Sequence, residues 1–234
     1  MGTDASRDLR SRARGLSHRL LPGIEQVAAQ VGPYAERWAE LNSQALAGSG
    51  PLWVALGDSM SQGIGAATFE GGWVPQAARL LAVAGRPYRL LNLSRSGATS
   101  EDLVDRQLPL LLGVARRDGE GGPVPPSLVT VLAGANDMMR RTTRREFPTR
   151  FRRLLDGLPP RTIVAYLPQP VRTAHRVNLV IDAARDRGIT ALDVKPAAKR
   201  WRGSRAPDLF HPNERGYARV AALFADAALA LDYP

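Results

Sequence analysis

The chain of 234 residues contains no cysteine. That excludes disulfides, thiolate catalysis and cysteine metal ligands, and it leaves the redox compartment open. Lysine is nearly absent too: Lys195 and Lys199 stand alone, so the formal net charge of +10 rests on arginine. Histidine occurs three times, at His18, His175 and His211, so imidazole chemistry has few places to sit. No apolar run approaches the roughly 18 residues a membrane-spanning helix needs. The opening MGTDASRDLRSRARGLSHRLLPG is basic but lacks the apolar stretch of about 7–15 residues of a secretory leader. The expected location is the cytoplasm.

What is present reads as one full-sized domain with an extension: 44% of the chain is hydrophobic and 23% charged, enough apolar matter to bury a core. Residues 1–50 form the extension, a basic arm to about 22 followed by helical periodicity from Ile24 to Ala47. That periodicity is expected to break at Gly32-Pro33 and to end at Gly48-Ser49-Gly50-Pro51. From 51 to 234 the pattern alternates. Short apolar runs at 52–56, 88–93, 127–133, 161–167 and 189–194 are separated by helical stretches near 72–84, 99–116, 146–156 and 173–187, with a last helix at 213–231. Such alternation predicts a parallel sheet of about five strands with helices on both faces, whose ligands bind at the carboxyl ends of the strands.

The segments after the strands therefore matter most. The first is LWVALGDSMSQGIGA, an apolar run that stops at Gly57-Asp58-Ser59. A serine there either caps the next helix or presents a nucleophile at a strand-to-helix turn. A phosphate loop is disfavoured, because Gly63-Ile64-Gly65-Ala66-Ala67-Thr68 fits neither GxGxxG nor GxxxxGK[ST]. After the second strand, NLSRSGATSEDL places Gly97 where a backbone N–H can approach a ligand, and Thr99 or Ser100 with Glu101 and Asp102 suits a helix start. After the third, AGANDMMRR carries Asn136, an uncharged amide that equally suits an ordinary turn. Near the end, APDLFHPNERGY sets Asp208 three residues before His211, a spacing at which a carboxylate can orient an imidazole. No third ligand completes a metal site around this pair.

Gly-Asp-Ser early, Gly97 after the second strand, Gly-x-Asn-Asp after the third and Asp-x-x-His at the end, in that order, resemble the SGNH/GDSL hydrolase family over roughly residues 51–234. Met60 departs from the leucine of the family's name, and residues 1–50 lie outside the likeness. The resemblance implies a three-layer, flavodoxin-like fold. It further implies Ser59 as nucleophile, His211 as base oriented by Asp208, and an oxyanion hole from the Ser59 N–H, Gly97 and Asn136, with no metal or cofactor. Asp58 is expected to brace the turn through backbone hydrogen bonds.

The implied chemistry is hydrolysis of a small-molecule ester or thioester through an acyl-enzyme. Arginine-rich stretches at 140–153 and 195–205 flank catalytic segments and favour a lipid-like or anionic acyl ester, with a weak attraction to anionic membrane surfaces. Met138, Met139, Arg144, Trp201 and Phe210 are candidate substrate contacts. Two other readings compete: a carbohydrate O-deacetylase of the same family, and a basic nucleic-acid-binding protein on an inactive hydrolase scaffold. The second has the sequence pI near 11 in its favour, and no zinc, RNP or basic-zipper signature. A nucleic-acid partner is not expected.

Overall fold

The computed structural model describes residues 22–114, 126–140, 144–198 and 203–232. After a helical turn over 22–28, the elements are α1 (Val31–Ala47), β1 (Leu52–Gly57), α2 (Ser59–Gln62), α3 (Trp73–Val83) and β2 (Arg89–Asn92). The next segment, α4, joins Ser100–Asp102, a π-turn at Leu103–Gln107 and Leu108–Val114. Then come β3 (Leu128–Leu132), α5 (Ala135–Met139), α6 (Phe147–Gly157), β4 (Thr162–Ala165), α7 (Arg172–Asp182), β5 (Ile189–Leu192), α8 (Lys195–Ala198) and α9 (Glu214–Leu229). All strand pairs are parallel, in the order β2-β1-β3-β4-β5. The expected parallel sheet of five strands is present. Its order reverses between β1 and β3, which opens a crevice above their carboxyl ends.

Side chains alternate along the strands, so each strand feeds both layers. Val54 and Leu56 of β1 point into a core shared with Leu103 and Leu111 of α4, Phe151 of α6 and Val177 of α7. Trp53 and Ala55 point the other way, against Trp73 of α3 and Phe224 of α9, whose rings stack at 4.2 Å. Trp53 Nε1 donates to Thr130 Oγ1 at 2.8 Å across the β1–β3 pair, so its only polar atom is satisfied within the core.

The extension differs from its sequence reading in one respect. The helix breaks at Ala29-Gln30, and α1 runs through Gly32-Pro33. Pro33 lies in the first helical turn, where the N–H it lacks has no intrahelical acceptor. Likewise, the helix expected to reach 187 stops at Asp182, and a 3-10 turn follows at Arg185–Arg187. The basic arm before 22 lies outside the described residues. Helix α1 covers the β2 edge of the sheet. Asn42 exchanges two bonds with the Asn92 backbone, donating to its carbonyl at 2.8 Å and accepting from its N–H at 2.7 Å, which closes an otherwise open strand edge.

Trp38 is the extension's main anchor. It is 2% exposed, packs against Phe69 with centroids 4.7 Å apart, and donates from Nε1 to the Gln62 carbonyl at 3.1 Å. Trp38→Ala is expected to cost about 3–5 kcal/mol in urea unfolding, and Trp38→Phe clearly less because the ring contact survives. A Trp38→Ala midpoint equal to that of the unmodified chain would mean that the extension does not contribute to the cooperative core.

Candidate active site

The site is built where β1 and β3 end. At the last residue of β1, Gly57, the side chain of Gln107 replaces a strand partner: Oε1 accepts from the Gly57 N–H at 2.9 Å and Nε2 donates to its carbonyl at 2.8 Å. Asp58 then caps α2, accepting from the Met60 N–H at 3.0 Å, which is the bracing role expected for it. Ser59 stands at the first position of that helix. Among the described residues, neither the Ser59 N–H nor the Gly97 N–H meets a hydrogen-bond acceptor.

Gln62 ties α2 to the loop after β2 by donating to the Ser94 carbonyl at 3.2 Å and accepting from the Ser96 N–H at 2.9 Å. In that loop Gly97 adopts φ +79°, and the space over it is open. A side chain would be strained there and would crowd the approach to its N–H. The next loop locks onto this one. Asn136 Nδ2 donates one proton to the Ala98 carbonyl at 2.9 Å and keeps a second proton available. Asp137, fully buried, takes the Ser100 N–H at 2.8 Å and the Ser100 hydroxyl at 2.7 Å, one on each carboxylate oxygen.

The last segment supplies the imidazole. His211 Nε2 lies 2.8 Å from Ser59 Oγ, and His211 Nδ1 lies 2.5 Å from Asp208 Oδ2. The other oxygen of Asp208 accepts from the Phe210 and His211 N–H groups, both at 3.0 Å, so one carboxylate sets ring and backbone together. The loop carrying them is closed by Ala206 N–H to the His211 carbonyl at 2.9 Å and by Arg205 to the Leu209 carbonyl at 2.7 Å. Gly65 passes beneath: a Cβ on it would meet the Pro212 oxygen at 2.5 Å and His211 Cβ at 2.6 Å. The loop around Gly65 is held from the extension, by Gln30 Oε1 on the Gly65 N–H at 2.8 Å and by Tyr34 OH on the Ala66 carbonyl at 2.9 Å.

Ser59, His211 and Asp208 are thus brought together as a hydrogen-bonded series able to move a proton off a serine hydroxyl. Met138, Met139, Arg144 and Phe210 line one groove of about 260 Å³ beside it, with Ala135 and Val171. Trp201 lies outside the described residues. The supporting groups Gln107, Gln62, Ser100 and Gly65 were not singled out in the sequence as site residues, and neither was the contribution of the extension. The glycine spacing at 63–65 was the one visible signal, and it served a turn against His211.

Two buried carboxyls lie close to the nucleophile position. Burial pushes Asp58 up to about 7 from an ordinary 3.8, and the neighbouring charge of Asp137 adds to the rise. Burial also raises Asp137, against the pull of its Ser100 bonds. Asp58 Oδ2 has no hydrogen-bond partner among the described residues. The folded state holds the Asp58 proton more tightly than the unfolded chain does. Its contribution to stability is therefore fully present below about pH 4 and is lost as the pH rises through about 7. Relative to the unmodified chain, Asp58→Asn is expected to gain about 3 kcal/mol between pH 4.5 and pH 8, read from urea midpoints. A difference between the two proteins that stays flat over that interval would show that Asp58 is already ionised in the folded state at low pH.

The chain matches the model of the family described as GDSL-like lipase/acylhydrolase over residues 55–219. No curated protein matches it by sequence. Among solved structures it is similar to TesA, with a TM-score of 0.60 at 22% identity over 75% of this chain and 97% of the other. It is similar to the psychrotrophic esterase EstA from Pseudoalteromonas sp., with a TM-score of 0.59 at 20% identity over 77% and 98%. An acetyl xylan esterase from Geobacillus stearothermophilus gives a TM-score of 0.57 at 17% identity over 77% and 95%. At these identities the likenesses establish the shared fold.

Proposed function

The chain belongs to the GDSL-like lipase/acylhydrolase family, and from that membership we propose that it hydrolyses carboxylic esters or thioesters with Ser59 as the nucleophile. The observation that carries the proposal is the 2.8 Å approach of His211 Nε2 to Ser59 Oγ, with Asp208 2.5 Å from the other ring nitrogen. His211 takes the hydroxyl proton as Ser59 Oγ attacks the carbonyl carbon. The carbonyl oxygen becomes an oxyanion, met by the Ser59 N–H, the Gly97 N–H and the remaining Asn136 amide proton. His211 returns its proton to the departing alcohol or thiol, an acyl-serine is left, and water activated by the same imidazole releases the acid. Asp208 stabilises the imidazolium and holds the tautomer with Nδ1–H towards itself.

The substrate is read as an ester with an anionic portion. Arg144 supports this, since it lines the groove beside the site and is steadied by a hydrogen bond to the Met138 carbonyl. Not all of the basic stretch at 140–153 is available for such a role, because Arg150 pairs with Glu101 and Glu146. Arg200 and Arg202 of the second stretch lie outside the described residues.

Ser59→Ala and His211→Ala are each expected to reduce kcat on a simple aryl ester by about a millionfold, and Asp208→Asn by less. Asn136→Ala should lower kcat about 100- to 1,000-fold with KM nearly unchanged, as for a donor used only in the transition state. Unimpaired turnover by pure Ser59→Ala enzyme ends the nucleophile assignment; a rise in KM alone moves Asn136 to ground-state binding.

The anionic preference has its own test. Arg144→Glu is expected to lower kcat/KM about tenfold on an anionic acyl donor such as an acyl-CoA, the scale of a surface charge pair made repulsive. It should leave a neutral aryl ester within about twofold. Raising salt from 0.1 to 1 M shortens the screening length from about 10 Å to about 3 Å and should narrow the gap between the two substrates. Equal losses on both substrates would reduce the arginines to solvated surface.

A further inference from the structure

The extension bears on the His211 segment at two places. The first contact is direct. Gly23, in the helical turn over 22–28, is buried against Pro207, the residue before Asp208. A Cβ on Gly23 would lie 2.4 Å from the Pro207 carbonyl oxygen and 2.8 Å from its carbonyl carbon. The second contact runs through the loop beneath His211. Gln30 stands where the helix breaks, and both ends of its amide engage that loop: Oε1 accepts from the Gly65 N–H at 2.8 Å and Nε2 donates to the Ala66 carbonyl at 2.9 Å. Tyr34 donates to the same carbonyl at 2.9 Å. Val27 and Tyr34 of the extension, Ile64 of the loop and Ala206 of the His211 segment also share an apolar cluster of their own. From the other side α9 holds the loop, through Tyr217 on the Ile64 carbonyl at 2.6 Å and Glu214 on the Ala67 N–H. The family match begins at residue 55, after every one of these extension residues.

We propose that Gln30 and Gly23 are positioning residues for turnover: Gln30 sets the height of the loop on which His211 rests, and Gly23 lets the extension seat against the Asp208 side of the same segment. This rests on the serine-hydrolase reading and adds to it a requirement for residues outside the family match. The contact at Gly65 leaves no slack, because a Cβ there would meet His211 Cβ at 2.6 Å and the Pro212 oxygen at 2.5 Å. Packing this close passes a displacement on to the neighbour, since the interior has little free volume to absorb it. A shift of about 1 Å at reacting groups can cost about 100-fold in rate. Neither Gln30 nor Gly23 lines the spaces beside Ser59 and His211, so the loss belongs in kcat and not in KM.

The test compares two variants of the full chain. Gln30→Met keeps the length of the side chain and removes both amide bonds. Gly23→Ala adds a methyl that presses on Pro207, and alanine is the better helix former, so a loss there does not come from a weakened turn. Both are assayed on a simple aryl ester at a temperature where circular dichroism shows them folded. Gln30→Met is expected to lower kcat about 10- to 100-fold with KM within about twofold, and Gly23→Ala to lower kcat about tenfold. The Nδ1 proton of His211, held in the 2.5 Å bond to Asp208, gives a low-field proton resonance that follows this geometry, and it should move or broaden in both variants. If Gln30→Met does not fold, Gly23→Ala decides. An unmodified kcat and resonance in the folded variants, or a loss confined to KM, overturns the proposal and leaves the extension a purely stabilising part. Hydrolysis that persists in Ser59→Ala enzyme would instead sink the serine-hydrolase reading. The His211 resonance needs no turnover, so it would still decide whether the extension sets the imidazole.

Discussion

The structure is organised around one distance, the 2.8 Å between a hydroxyl on Ser59 and an imidazole nitrogen 152 residues later in the chain. Neither group is held there by its own element alone. Ser59 is fixed because β1 is clamped at Gly57 by Gln107 and because Asp58 caps the short helix that follows. His211 is fixed because Asp208 bonds to both its ring and its backbone, and because Gly65 allows another loop to pass directly beneath it. That loop is in turn held by Gln30 and Tyr34, so the extension at the start of the chain is part of what positions the residues at its end.

The same crowding brings carboxyls close to where, in the proposed reaction, negative charge develops. Two features limit the electrostatic cost. Asp137 is bound on both oxygens by Ser100, which couples the Gly97 loop to the Asn136 loop and fixes the spacing between their donors. Asp58 is buried so thoroughly that its proton is retained up to about pH 7. A neutral carboxyl in that position does not oppose an oxyanion, whereas an ionised one in a low-dielectric pocket would.

Much of this was legible in the sequence, and the reasons are physical. Fully buried parallel strands read as short apolar runs, and the crossover helices between them carry their own periodicity, so the layer order followed from alternation alone. The candidate triad was legible only as a set: each segment alone suited an ordinary cap, turn or surface, and it was their order along the chain, at strand ends, that carried the family resemblance implying their roles. The supporting contacts were not. Gln107, Ser100 and Gln62 are common polar residues whose role depends on which loop folds back against them, and no spacing rule records that. Pro33 misled for a related reason: proline interrupts a helix only where its missing N–H was needed, and in the first turn it was not.

The span between Ser59 and His211 also decides what a fragment of the molecule can do. Ser59 and the strand and helix that hold it are local in the chain, while the imidazole beside it comes from a loop 152 residues away. That loop rests on Gly65, whose missing side chain leaves it room. A chain cut anywhere between the two keeps the hydroxyl and loses its hydrogen-bonded partner unless both pieces stay docked. In the proposed reaction such a fragment carries an ordinary alcohol, so that proteolysis within the span silences the serine without touching it.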